Sequence, residues 1–447
     1  MRTHAAHSLA VAVGIGCGAL LAPTGRAQPA AFQALGVLPG DVSSQALGVS
    51  DDGAVVVGFS DAGGGPEAFR WTAGGGLQGL GFLPGGVLSV AGGASADGAV
   101  VGGASSSGSG APMEAFRWTA GAMQGSGHIP NSFNTEGTTV SADGSTVVGY
   151  STIVIDGLNH AFRWMDGGAP QDLGVLVGGT ESRANDVSAD GGVVVGFSSG
   201  LAFRWTQTSG MVSLGSLPGG SFSSAAGVSN DGSVIVGVGV GGNGLNEAFR
   251  WTQVDGPVGL GTLPGATASQ AFAVSADGAV VAGRSSGLAF VWSADGGMRD
   301  VKAVLVSAGL DLTGWTLSTA TGLSTDGAVV VGYGTNPQGQ NEGWRAVLGG
   351  QVAAEPGPGA PAMTLQAPVP NPAASRTTVR FVLVAAGLVR LSVHDALGRE
   401  VALLVNAERP AGVYEATLDA SRLAPGAYVV HLAAPAGVAA RRFAVLR

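Results

Sequence analysis

One unit copied seven times constrains this chain more than any other feature. Ser-x-Asp-Gly recurs with its last two residues at Asp52-Gly53, Asp97-Gly98, Asp143-Gly144, Asp190-Gly191, Asp231-Gly232, Asp277-Gly278 and Asp326-Gly327, spaced by 45, 46, 47, 41, 46 and 49 residues. A second anchor follows each copy. It reads Ala68-Phe69-Arg70-Trp71 and recurs to Trp118, Trp164, Trp205, Trp251 and Trp292, with Val291 replacing arginine in the sixth and Gly343-Trp344-Arg345-Ala346 as the seventh. A third, Leu-Gly-x-Leu-Pro-Gly, stands at 35–40, 80–85, 214–219 and 260–265, with degraded copies at 126–131 and 173–178. Periods of this length mean propellers, solenoids or arrays.

Each unit reads as four short strands. In the first, Gln45–Ser50 and Ala54–Phe59 flank Asp52-Gly53, which predicts a two-residue type I′ turn with positive φ at both central positions. The Val55-Val56-Val57 run predicts a second strand buried on both faces. Ala68–Thr72 puts Phe69 and Trp71 on one face by the period of two, and Leu77–Gly81 is the fourth strand. The ends choose between a ring and an open stack. The chain enters the array with a lone fourth strand near Phe32–Gly40 and leaves it after a third, Gly343–Leu348. An open solenoid needs polar caps; here the first strand can complete the last blade. The expected fold is all-β: a seven-bladed β-propeller of four-stranded blades, closed by the N-terminal strand. Asp300–Gly309 breaks the pattern and predicts a short helix capped by Asp300 and ended by Gly309.

Composition agrees with turns and excludes other classes. Glycine supplies 79 of 447 residues, charged residues only 11% and hydrophobic residues 45%, which is not the signature of disorder. Residues 28–363 carry a net charge of −15 and residues 364–447 a net +4. An acidic body argues against nucleic acid, which needs a cationic face. Arg2, the apolar run from Leu9 to Ala22 and Gly25-Arg26-Ala27 read as a secretory signal peptide over 1–27, too short to span a bilayer comfortably. No later segment could span one, so the chain is not expected to be an integral membrane protein. The only cysteine, Cys17, lies inside that signal.

The repeats resemble the probable extracellular repeats of the HAF family, named for a His-Ala-Phe form of the third-strand anchor. His160-Ala161-Phe162 is that tripeptide; Leu312-Thr313-Gly314-Trp315-Thr316-Leu317 and Asn336-Pro337 resemble the close of such arrays. The resemblance spans about 34–348, implies an exported protein of poorly defined role, and carries over no catalytic residues.

The propeller is assigned to 28–350 and a Pro/Gly/Ala linker to 351–363. Residues 364–447 then alternate as six short strands, the pattern of a small β-sandwich. Val369-Pro370-Asn371-Pro372, Thr377–Phe381, Val393–Val401 and Leu423-Ala424-Pro425-Gly426-Ala427-Tyr428 resemble the type A sorting domain of the type IX secretion system, with His394 where that family usually has tyrosine. The resemblance implies the general secretion machinery and the type IX translocon as partners, and a secreted or cell-surface location.

Chemistry is sought where the repeat is broken. The turn aspartates offer one carboxylate per loop, whereas calcium takes six to eight oxygens, so they read as turn residues. The third-strand arginines recur as a structural ring, expected to pair with those aspartates, and the Phe/Trp pairs read as packing between blades. Non-repeat acids exist (Glu136, Asp156, Glu181 and Asp186), but no spacing singles out the pair a glycosidase needs. Gly108-Ser109-Gly110 is serine-glycine loop composition rather than a nucleophile elbow. No catalytic, metal or cofactor residue is therefore assigned.

The expected function is a non-enzymatic binding or adhesion scaffold for an extracellular glycan or protein. The alternative is a polysaccharide-active enzyme, a hydrolase or lyase, on the same propeller. Loops joining strands two and three vary most and carry the candidate ligand residues: Phe59, Tyr150, Asn159, Phe197, Asn243, Asn246, Tyr333, Asn336 and Gln338. Aromatic area beside amides suits a polar neutral ligand, and loops on a rigid scaffold are where function sits.

Overall fold

The computed structural model describes residues 28–349, except 109–111 and 156, and residues 364–446, except 366–367, 369–370, 374, 384–386, 396–398, 411 and 435–436. The expected signal peptide, the linker, Asp156 and Ser109 lie outside the described residues. The chain divides into two compact units between Ala353 and Ala354.

The first unit is a seven-bladed propeller. Blade 1 is the antiparallel sheet Ser43–Val49, Val55–Asp61, Pro66–Thr72 and Gly76–Gly81, in that order. Blades 2 to 6 repeat it. Blade 7 takes three strands from Thr316–Leu323, Val329–Thr335 and Asn341–Val347, and its outer strand is Ala31–Gly36 from the start of the array. The ring therefore closes as the repeat arithmetic requires. Phe32 fixes this seam, meeting Trp315 edge-on at 5.1 Å and Trp344 at 6.4 Å.

Blades pack through the residues that the period of two predicts. Phe69, Phe116, Phe162, Phe203, Phe249 and Phe290 are fully buried. Each belongs to a cluster spanning two blades, as when Phe116 joins Val55 and Val57 of blade 1. Between blades 6 and 7 the helix Val301–Ser307 contributes Val301, Val304 and Leu305 to such a cluster, and Val291 is buried there. An arginine at Val291 would bring a charge into an apolar cluster, which is costly. Asp300 caps the helix by accepting from Ala303 N at 2.7 Å, and Gly309 ends it at φ +92°.

Two expectations are corrected. The Asp-Gly turns are not type I′: Gly53 has φ +71°, but its six aspartate-glycine counterparts and Asp52 itself keep the aspartate at negative φ. The loop instead closes from Ser50 N to Val55 O (2.9 Å), with Gly53 N donating to Ser50 O. Asp52 Oδ1 accepts from Ser50 Oγ and Ala54 N, while Ser50 Oγ accepts from Val55 N. The side chains cap the turn, so only the glycine has to enter the left-handed region. A Cβ on Gly53 would also lie 2.5 Å from Val329 Cγ2 of blade 7.

The arginine ring exists, but its acceptors are turn carbonyls. Arg70, Arg204, Arg250 and Arg345 donate from Nε to Gly98, Gly232, Gly278 and Gly53 O, each on the next blade. Arg117 instead pairs with Asp166 at 2.6 Å. The turns are also tied to one another through their main chains: Thr325 N to Asp51 O, Asp51 N to Ala96 O, Ala96 N to Ala142 O and Ala189 N to Asn230 O. This belt runs around the Asp-Gly end of the ring.

The second unit is a β-sandwich. A three-stranded sheet (Thr364–Leu365, Arg376–Leu383, Gly412–Asp419) faces a four-stranded one (Glu400–Arg409, Gly387–Asp395, Gly426–Ala434, Gly437–Val445). Alternate residues of both sheets, among them Val379, Phe381, Leu391, Val393, Val430 and Phe443, form one core.

Candidate functional site

Loops joining strands two to three, and each fourth strand to the next blade, emerge at one end of the ring. The Asp-Gly turns occupy the other end. A buried serine pins these loops in five blades. Ser89 Oγ accepts from Ala68 N (2.9 Å) and donates to Gly81 O (2.7 Å), and Ser44 does the same between Gly343 N and Gly36 O across the closing seam. Ser182, Ser223 and Ser269 repeat the bridge. In these five blades a serine six residues before the Ser-x-Asp-Gly motif is the sequence signal, hard to single out because serine in a strand looks merely polar.

The nine candidate residues lie on five blades at this loop end. On blade 3, Tyr150 is half-buried, donates its hydroxyl to Glu136, and carries the Arg183 guanidinium 4.8 Å above its ring. Burial, then the hydrogen bond to Glu136, pushes its hydroxyl above the ordinary tyrosine range. Asn159, with its amide oriented to satisfy both neighbours, donates to Thr152 Oγ1 and accepts from Arg183 at 2.7 and 3.1 Å. The structure thus joins Tyr150 and Asn159 through Arg183, which the sequence reading did not single out.

The others are more dispersed. Phe59 is half-buried on blade 1, and Phe197 meets Phe222 at 5.9 Å on blade 4. Asn243 accepts from Leu245 N within its own loop, and Asn246 is exposed. Asn336 is buried: its oxygen accepts from Gln338 N and Gln340 N, and its amide donates to Glu342. Its polar atoms build the loop, leaving Tyr333 and exposed Gln338 at the surface of blade 7.

The centre of the ring holds a second feature. Every first strand carries a β-bulge, at Leu47, Gly92, Thr138, Asn185, Ala226, Phe272 and Thr321. A bulge re-aims its side chain and increases local twist. Thr138, Asn185 and Thr321 each donate to a carbonyl just before the next blade's bulge, Ala184, Ala225 and Ala46. Below the bulges, toward the Asp-Gly end, lies a cavity of about 210 Å³ lined by all seven first strands.

One residue after its bulge, Asp186 stands where the other blades have Gly48, Gly93, Thr139, Gly227, Ala273 and Gly322. Its Oδ2 accepts from Val228 N of blade 5 at 2.8 Å. Enclosure by the ring pushes its carboxyl up to about 7, against the lowering effect of the Val187 and Val228 amides. Such a group can hold or release a proton near neutrality. Asp51, at the turn end, is the other carboxylate lining this cavity. Among the described residues, no three His, Cys, Asp or Glu side chains come together as a metal site.

Fold and site together define an all-β propeller followed by a separate sandwich. Residues 369–445 match the family described as the secretion system C-terminal sorting domain. The basic module is therefore a sorting domain of the type IX kind, which points to secretion and a cell-surface or extracellular location and implies contact with the secretion machinery. Among the described residues no helix is long and apolar enough to cross a membrane. No curated protein matches the chain.

Three solved structures resemble it distantly. TolB from Acinetobacter baumannii is 16% identical over 47% of this chain and 52% of that one, with a TM-score of 0.34, so the chain spans about half of that relative. An oligogalacturonate lyase from Vibrio parahaemolyticus is 9% identical over 72% and 97%, with a TM-score of 0.46. PorZ, a bacterial surface component of the type IX secretion system of Porphyromonas gingivalis, is 13% identical over 90% and 70%, with a TM-score of 0.23. Likeness at this level carries no argument about activity.

Proposed function

We propose that the protein is exported by an N-terminal signal and its sorting domain, and that the propeller works outside the cell as a non-enzymatic binding or adhesion scaffold of the HAF-repeat kind. One observation carries this reading. Exposed apolar side chains concentrate at the loop end: Val42, Phe82, Phe133, Val154, Ile155 and Val177 are all exposed there, against Met165 and Val254 at the Asp-Gly end. Exposed apolar area gathered on one face marks an interaction surface. The serine bridges hold that face rigid, so binding there loses less ordering entropy.

The test is a panel of glycans and proteins screened with the purified propeller unit. Ile155→Asp and Tyr333→Ala should weaken binding to whatever ligand emerges, with the fold intact. Tyr333 is the cleaner aromatic probe, because Tyr150 also holds Glu136 and Arg183 together. The enzyme reading draws on Asp186, whose carboxyl can exchange a proton in the channel. Glycoside turnover abolished by Asp186→Asn would overturn the scaffold proposal in favour of that rival.

A further inference from the structure

A slot recurs in the propeller beside the leading residue of the third strand. In blade 5 it is a cavity of about 380 Å³, bounded by Leu217-Pro218 of the preceding turn, Gly241-Gly242-Asn243 of the loop, Glu247 and Gly259. Glu247 is the usual occupant of its position. It accepts from Gly261 N at 2.9 Å, as Glu67 does from Gly81 N and Glu342 from Gly36 N, latching the end of the fourth strand. The blade 5 slot is therefore polar.

Blade 6 departs from this plan twice. Leu288 replaces the glutamate, and the fourth strand Gly297–Asp300 runs into the helix Val301–Ser307 instead of Leu-Gly. The helix covers the place where the latch would form. What results is a cavity of about 490 Å³, walled by Leu263, Pro264, Leu288, Met298 and Val304. Its size lies within the range of small-molecule sites, roughly 300–1,000 Å³, and apolar walls with a few placed polar groups are their usual chemistry.

We infer that this blade 6 pocket binds a small phenolic compound, a single aromatic ring carrying a hydroxyl. The Met298 thioether in the pocket wall offers a favourable contact to a ring. At the rim the Asp300 carboxylate accepts from Ala303 N and keeps further lone pairs for a hydroxyl donor. The pocket opens at the same loop end, on a blade that carries none of the nine candidate residues, and it does not rest on the scaffold reading.

The experiment is a ligand-observed fluorine NMR titration of the full chain with 4-fluorophenol. Ala303→Trp, at an exposed helix position on the pocket rim, should fill the site. Leu288→Glu restores the repeat's charge inside it. Each should weaken binding at least about tenfold, equivalent to about 1.4 kcal/mol. Leu201→Glu, the same exchange in blade 4 where no helix follows, should leave binding unchanged. Thermal unfolding accompanies each variant; if Leu288→Glu unfolds, Ala303→Trp decides. The inference is overturned if the wild-type protein does not bind at millimolar ligand, if Ala303→Trp binds as wild type does, or if cyclohexanol binds as tightly as the phenol.

Discussion

The Asp186→Asn exchange should make the propeller more stable above neutral pH than the natural sequence. The folded carboxyl holds its proton up to about pH 7, whereas an unfolded aspartate ionises near ~3.9. The folded state thus binds the extra proton between these values, and this group's contribution declines as pH rises from about 4 to about 7. Three pH units at about 1.4 kcal/mol each set an upper limit of roughly 4 kcal/mol lost above pH 7. Solvent in the channel reaches the carboxylate, which lies at intermediate exposure, so the realised loss is smaller. Asparagine keeps an oxygen for Val228 N and cannot ionise. Between pH 5 and pH 8 the stability difference between the two proteins should widen by about 1–2.5 kcal/mol. Urea unfolding of both at the two pH values measures it. Comparison against wild type cancels the turn aspartates, such as Asp52 and Asp190, whose carboxyls are lowered by their caps and destabilise only in acid. A difference that stays constant across this range would refute the assignment.

Three further outcomes follow from the same geometry. Gly53→Ala should destabilise by at least about 1–2 kcal/mol, because the new methyl sits at positive φ and against Val329; thermal unfolding reads it, and a neutral effect would contradict the seam packing. Arg345→Ala removes the 2.7 Å donor to Gly53 O across the closing seam and should cost about 1.5–3 kcal/mol in denaturant unfolding. Deleting 364–447 should leave the protein in the periplasm with the propeller's melting unchanged, since the two units have separate cores; wild-type levels in the medium would contradict the sorting assignment.

Much of the architecture was legible because repetition averages out local ambiguity. Asp-Gly, Ala-Phe-Arg-Trp and Leu-Pro-Gly each mark one point of a blade, and the unmatched ends at Phe32 and Leu348 dictate closure. The site was less legible. Asp186 stood out only as an acid outside the repeat, and nothing in the spacing of Asn336 distinguishes an amide that builds its loop from one offered to a ligand. Arg183 belongs to a first strand, where alternation alone gives no reason to link it to Tyr150 and Asn159 on the neighbouring blade.

The sequence by itself determined the blade count, the strand order, the closing strand and the capped helix at Asp300. These depend on short-range patterns: turn residues, the period of two, and where the copies start and stop. Only the tertiary structure decided the partners. The arginines reach glycine carbonyls rather than aspartates because the turn's own serine and amides already occupy the carboxylates. The first strands bulge because seven of them crowd one axis, a constraint absent from any single blade. The same crowding turns one aspartate, unremarkable in sequence, into an enclosed acid. Contacts between distant blades set these features, and linear order does not encode them.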